Sequence, residues 1–520
     1  MADPAVGGDV KGAFGLALVL TLAAVFIGDG TVAMLLSPII IACILFVLVK
    51  APLRTSMLGL MFITLTIENP AEAPGGGYFS SPFAPLGGLL LTHLNKTVGI
   101  PVIGSMSGID VMLVVLLLVA LARKQSGSKI DRLGRITTPE PLVKLALLSL
   151  IGILWILFVG LCRGGNFSMA LWQIDRVIHL PVIFLLFHMG LRGPKDHLAA
   201  ARTLIGAAVS RAIFAVYIVA VTPPPHDENG QEVRLGWATS HHDSILFAVA
   251  FVVLVSFMLE RVKRGTTRLA LMLLPILMAG MIANNRRMVW VQVAMVFVTL
   301  YLATPTNPMK RKIKRTFFAI SPLILVYLAA GWESKSGAFK PVQMIRSVVD
   351  PQSDGSTLWR EMENFDILYT FRQFWLFGTG YGNGYWEIIP LPAIDYALEK
   401  YIPHNSILGL WCYTGYLGYT SITLLWGAGA YFAMRSYLAS KAPTDRVTAL
   451  ACLGSVLVYM VQCYGDMGLG SWTGVFIVGC AVAIAGKLAV AVGAWPSKRT
   501  AQKPARKPVA VRAAVESQVA

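Results

Sequence analysis

Charge is what this sequence has least of. Only 14% of its 520 residues are Asp, Glu, Lys or Arg, where a soluble globular domain carries about 25%. Hydrophobic residues make up 56%, and the mean hydropathy is +0.65. A water-soluble globule is thereby excluded and an integral membrane protein is left. Cysteine is scarce as well. Cys43, Cys162, Cys412, Cys452, Cys463 and Cys480 lie in or beside apolar runs and none forms a CxxC pair, so they read as small packing residues rather than a disulfide framework or a metal site. The phosphate-binding glycine patterns of nucleotide enzymes are missing: there is no Walker A and no GxGxxG, and "FGTGYGNGYW" (377–386) has a different spacing. The first apolar run, "GAFGLALVLTLAAVFIG", lacks a small-residue cleavage site and is followed at once by another, so it is expected to be a retained helix.

What is there in abundance is apolar runs near the roughly 20 residues needed to cross a bilayer. They fall near 12–28, 31–49, 55–67, 104–122, 142–161, 173–190, 203–221, 242–259, 269–283, 287–303, 316–331, 405–433, 447–464 and 473–490. The expected fold is therefore an all-α, polytopic bundle of roughly fourteen transmembrane helices. Acidic residues number 27 against 44 basic ones, a formal charge of +17. In a soluble chain that excess would suggest nucleic acid. Here alternate loops hold it, as the positive-inside rule requires. With the N-terminus inside, the inner loops carry Lys50 and Arg54, "RKQSGSKIDRLGR", Arg192 and Lys195, "ERVKRGTTR", "KRKIKR", and Arg435, Lys441 and Arg446. Both termini are then cytoplasmic and no nucleic-acid partner is expected. Residues 1–490 form one membrane domain without internal repeat, 332–404 its one large periplasmic loop, and 491–520 a basic cytoplasmic tail rich in Pro, Ala and Lys that is expected to be disordered.

This orientation puts Arg286 and Arg287 on the outer side, against the charge rule, and so gives them a functional reading. Arg211 sits near the middle of its span, where a charge costs a few kcal/mol and faces a partner or a cavity. It reads either as an anion ligand or as half of a buried ion pair. Asp175, Arg176 and His179 lie in the outer half of another span, with Asp175 and His179 on one face; Asp175 could equally pair with Arg176. Arg163 and Arg234 add positive charge outside. His241, His242 and Asp243 resemble metal ligands in type alone, because adjacent residues on a helix point about 100° apart, and no metal site is expected. An outward cavity lined by arginines suits a phosphate or diphosphate, since the guanidinium fork matches phosphate oxygens. Trp375, Tyr381, Tyr385 and Trp386 could stack on sugar rings or form an interfacial aromatic belt.

Three segments carry a family likeness: "GSTLWREMENF", then "FWLFGTGYGNGYW", then "IPHNSILGLWCYTGYLG". Their order resembles the bacterial O-antigen ligase and Wzy-type polysaccharide polymerase superfamily, with Arg360, Gly378, Gly380, His404, Asn405, Leu408, Gly415 and Gly418 at the family's positions. "RRMVW" is similar to its arginine-bearing "SRGAW" element, with Arg287 on the arginine, and "RLGWATSHHDSILFA" to its "RxxGxxxxPNxxA" segment, with His242-Asp243 in place of Pro-Asn. The likeness covers about residues 200–430. The Arg-x10-Gly pattern of some polymerases is absent from the outer loop.

The resemblance implies a metal-independent, cofactor-free, GT-C-like inverting glycosyltransferase of the cell inner membrane. Its donor would be a glycan on undecaprenyl diphosphate. The acceptor would be a second lipid-linked repeat unit in a polymerase, which is the expectation for this chain, or lipid A–core in a ligase. A chain-length regulator and a flippase of the same pathway are the implied protein partners. His404 takes the catalytic-base role, with Glu387 in reserve. Arg211 and Arg287, backed by Arg286, are assigned to the diphosphate. Arg360 and Arg234 are weaker substrate ligands, and Asn405 either orients substrate or caps a helix. A flippase or transporter is the competing class, but no paired halves are visible.

Overall fold

The computed structural model describes residues 8–27, 30–67, 84–92, 106–125, 136–222, 238–260, 262–306, 308–334, 336, 339, 342–343, 346, 355–391 and 400–496. Every regular element among them is helical, as lipid demands: with no water to serve unpaired amides, a helix satisfies its backbone internally. The helices are α1 (Gly8–Ile27), α2 (Gly30–Lys50), α3 (Leu53–Thr66), α4 (Ala84–Leu91), α5 (Gly108–Gln125), α6 (Glu140–Cys162), α7 (Phe167–Gly190), α8 (Pro194–Val221), α9 (Asp243–Leu259), α10 (Arg264–Asn284), α11 (Arg287–Ala303), α12 (Pro308–Gly331), α13 (Gly355–Gln373), α14 (Ser406–Ala439), α15 (Pro443–Gly465) and α16 (Trp472–Ala491).

Each of the fourteen apolar stretches coincides with one of these helices. By length and composition six of them can cross a membrane, or seven if the two halves of α7, bent by 43° around residue 176, form one span. Four more apolar helices are shorter, at 10–17 residues. Pro181 lies just beyond that bend and accounts for it, because its ring clashes with the carbonyl four residues back and removes a hydrogen bond. The two helices with no counterpart among the fourteen stretches are α4 and α13. The tail expectation falls largely on 497–520, outside the described residues.

The centre of the bundle is α16, buried along nearly its whole length and packed on α7, α14 and α15. Small residues let neighbours close in: a Cβ on Gly479 would stand 2.8 Å from Ile183 of α7. At the periphery the pattern inverts. Ile151, Leu154, Trp155 and Phe158 of α6 are all exposed, the signature of a helix whose outer face is meant for lipid rather than water.

α14 is two helices joined at Gly415, whose φ of 59° and ψ of −170° no helix accommodates. That break builds the site.

Candidate functional site

A broken helix strands backbone groups, and the glycine-rich loop takes them up. The carbonyls of Cys412 and Tyr413 accept from Thr379 N (3.0 Å) and Gly380 N (2.9 Å). Beyond the break, Tyr416 N and Leu417 N donate to the carbonyls of Trp375 (2.8 Å) and Leu376 (3.2 Å). Such close approach explains a glycine at 378: its φ is 67°, and a Cβ there would lie 2.3 Å from the Tyr413 backbone. The segment that lacks nucleotide-loop spacing is thus a helix splice. Gln173 of α7 holds it from the other side, donating to the carbonyls of Asn383 (3.2 Å) and Tyr401 (3.1 Å) and accepting from Gly382 N (2.7 Å). Arg163 donates to the Gly378 carbonyl and lies 5.2 Å over the Phe374 ring.

His404 stands just before α14, fixed by its neighbours. Asn405 is the N-cap, its side chain accepting from Leu408 N at 3.1 Å, so of its two expected roles the structure displays the capping one. α13 runs beside this end: Trp359 meets the His404 ring edge-on at 4.7 Å and Phe371 meets Trp411 at 4.6 Å. From the same helix comes Glu363, wholly buried. Its carboxylate accepts the His404 backbone N–H at 3.1 and 3.3 Å and lies 3.5 Å from His404 Nδ1. Nδ1 itself is buried and has no hydrogen-bond partner among the described residues, so Glu363 holds the backbone of His404 and stands behind its ring as a charge contact rather than as a hydrogen-bond acceptor. Buried charge is expensive unless hydrogen-bonded, so its placement here needs a reason, and His404 supplies one.

A second carboxylate lies close by. Asp466 follows α15, and its backbone carbonyl accepts from the Ser406 hydroxyl at 3.3 Å. Burial pushes the Asp466 carboxyl up, but the hydrogen bond and charge of His241, 3.0 Å away, and then the charge of Arg360 hold it well below the usual carboxylate range. Arg360 and His241 are therefore gathered at the same end of the bundle as His404. The α10–α11 turn joins them. Thr239 donates to Asn284 (3.1 Å) and Asn284 to the Ser240 carbonyl (3.4 Å), while a Cβ on Gly465 would lie 2.5 Å from Met288. That turn, closed by Asn285 in the left-handed region at φ 52°, carries Arg286, half-buried, and Arg287, exposed at the first position of α11.

Arg211 is placed differently. It is buried in α8 and paired with Asp243, Nη2 to Oδ2 2.6 Å and Nε to Oδ2 3.2 Å, with Phe214 5.4 Å beneath it. The structure thus displays the ion-pair alternative for it. Glu387 is bridged to Lys400 at 2.6 Å and accepts from Leu391 N. The Lys400 hydrogen bond first, then that amide, hold its carboxyl below the usual range, which makes it a weaker base than an ordinary glutamate. Arg234 lies outside the described residues. Of the four aromatics, Tyr381 and Tyr385 are core residues, whereas Trp375 and Trp386 open outward.

Asp175 and His179 share a face as expected, 3.7 Å apart, but the nearer partner of His179 is Asp110 of α5 at 2.5 Å, itself bonded to Ser107. Glu363, Asp466, Gln173 and Asp110 are the residues sequence reasoning missed. Each is joined to its partner across many residues of chain, 41 for Glu363 and His404, beyond any local pattern.

Residues 270–423 match the family described as O-antigen ligase. The segment runs from α10 through the arginine turn, α13, the glycine splice and His404 into α14, so the resemblance read from the motifs holds across it. Arg211, His241 and Asp466 lie outside it. No curated protein matches the chain. The match supports a ligase- or polymerase-type activity in polysaccharide biosynthesis, carried by a multi-pass, all-helical membrane protein.

Proposed function

We propose that the protein is a glycosyltransferase of the bacterial inner membrane. It would take a glycan from undecaprenyl diphosphate and join it to a hydroxyl of a second lipid-linked repeat unit at the periplasmic face, extending a surface polysaccharide. The observation that carries this reading is His404, backed by buried Glu363 and sharing with Arg286, Arg287 and Arg360 the segment that matches O-antigen ligase. A sugar hydroxyl is a poor nucleophile. His404 Nε2 takes its proton as the oxygen attacks the anomeric carbon, and the bond from that carbon to the diphosphate breaks with inversion. Negative charge then grows on the departing diphosphate, where Arg286 and Arg287 stabilise it, with Arg360 positioning the substrate phosphate or the loop. Arg211, its charge taken by Asp243, serves this site by holding the start of α9 and the adjoining His241 in place.

The rest of the proposal is topological: fourteen spans, the shorter apolar helices included, and both termini in the cytoplasm. Cysteines introduced at Gln231 should then react with an impermeant thiol reagent in spheroplasts and one at Ser126 should not. Reaction at Ser126 would overturn the orientation.

A second reading is favoured by the description of the matched family: ligation of the finished glycan to lipid A–core. Gels of the surface glycan from a deletion strain separate the two. Single-repeat products mean a polymerase. Unmodified lipid A–core with polymer accumulating on its lipid carrier means a ligase. Normal glycan on both counts would sink the proposal.

A further inference from the structure

The polarity of α13 is inside out. Its buried face carries Glu363 and Asp366, both at 0% exposure, and Thr370. All three are employed: Glu363 on the His404 amide, Asp366 on the amides of Ile388 (3.1 Å) and Ile389 (3.0 Å), Thr370 on the amide of Trp386 (2.8 Å). Its outward face carries Leu358, Phe365, Leu368 and Tyr369, with Phe365 49% exposed. At 100° per residue these four fall within one sector of the helix; charged Glu361, between Leu358 and Phe365, and Arg372, at the C-terminal end, share that sector. A water-facing helix of a soluble domain is patterned the other way, and soluble proteins rarely show a contiguous apolar patch of this kind.

The patch does not end with the helix. Trp375 follows it, exposed, and its carbonyl accepts from Tyr416 N of α14 at 2.8 Å. Tyr416 and Leu417 are exposed in turn. Phe377 meets Trp155 of α6 at a tilt, ring centres 6.3 Å apart, and the outer surface of Leu154, Trp155 and Phe158 on that helix is lipid-facing in character. One apolar surface therefore runs from the sides of two long helices onto α13, and Trp375 sits along it as an interfacial tryptophan does.

We infer that α13 is an interfacial helix, lying with its Phe365–Tyr369 face in the boundary between headgroups and acyl chains of the outer leaflet. Glu361 and Arg372 flank that cluster on either side and reach to the headgroups, as long charged side chains do at membrane edges. Its opposite face carries Glu363 and so holds His404 at the level of the bilayer surface. The occupant of the outward face is phospholipid. The inference stands on the polarity of α13 and does not depend on glycan transfer.

The test uses the full-length chain in its native membrane, with the photoreactive residue p-benzoylphenylalanine introduced singly at Phe365, at Leu368 and, for comparison, at Glu387, which is exposed and ion-paired to Lys400. After irradiation, peptides are examined by mass spectrometry for phospholipid adducts. An interfacial helix buries its apolar face about 5–10 Å into the boundary, so positions 365 and 368 should yield roughly tenfold more phospholipid adduct than 387. Adducts at 365 and 368 that are confined to another protein, or to another segment of this chain, would overturn the inference. So would an absence of adducts there, or equal yields at all three positions.

Discussion

Two acid–base pairs of the bundle look alike on paper and are built in opposite ways. Arg211 and Asp243 are both sealed, with side chains 2% and 5% exposed, and their charges meet at 2.6 Å. In the pair of His404 and Glu363, the carboxylate is sealed at 1% but the imidazole is 22% exposed and stands 3.5 Å away, its backbone amide holding the carboxylate instead. A closed pair spends its charge on its partner and fixes two helices. A half-open pair fixes one member and leaves the other accessible. Depth in the membrane gave Arg211 two readings, an anion ligand or half of a buried ion pair, and the sequence held nothing to choose between them. The lesson is that a buried charge must first be asked what neutralises it.

The sharpest way to break the comparison is to remove the open member. His404→Ala should insert normally and lose roughly 10²–10⁴-fold in transfer rate, the usual worth of general-base assistance. A variant transferring glycan near the native rate would remove His404 from the chemistry. Next is the closed pair. Arg211→Ala strands Asp243 and should cost about 3–5 kcal/mol, seen as a lowered unfolding temperature in detergent or as poor accumulation in the membrane. The double variant Arg211→Ala with Asp243→Ala should recover much of that loss. If stability returns without transfer, Arg211 touches substrate after all; if both return, its role is structural.

Smaller effects sharpen the picture. Arg287→Lys keeps the charge but loses the fork, and transfer should fall about tenfold or more with normal insertion; unchanged transfer would put the diphosphate elsewhere. Glu363→Gln keeps an acceptor for the His404 amide but removes the charge behind Nδ1. Its kcat should fall roughly tenfold while KM stays nearly fixed, as expected for a group that orients a base without touching substrate. Smallest of all, Glu387→Gln should alter transfer by less than about twofold, because it gives up only an outward pair with Lys400. A large loss there would restore Glu387 as a base.

The helices themselves were legible, since apolar runs of spanning length leave a chain little alternative in lipid. α13 was not, and the reason is physical. Its apolar and polar residues are in helical register, but its polar side turns inward, so a reading that assigns polar residues to solvent takes the segment for loop. Asn405 shows the same limit at one residue. The sequence allowed both a cap and a substrate contact, and local geometry around Leu408 displays the cap.

By itself, the sequence determined that this chain lives in a membrane, where its fourteen apolar helices run, and which short segments, "RRMVW", "FGTGYGNGYW" and "IPHNS", carry the family likeness. These are properties of composition and of residues near one another in the chain. Only the tertiary structure decided which charges are closed and which are open. It matched Glu363 to His404, Asp243 to Arg211, Asp466 to His241, and the glycine loop to the broken α14. Those pairings join residues tens to hundreds of positions apart. A charge or an unpaired carbonyl states in sequence only that it needs a partner, and packing alone determines which one it receives.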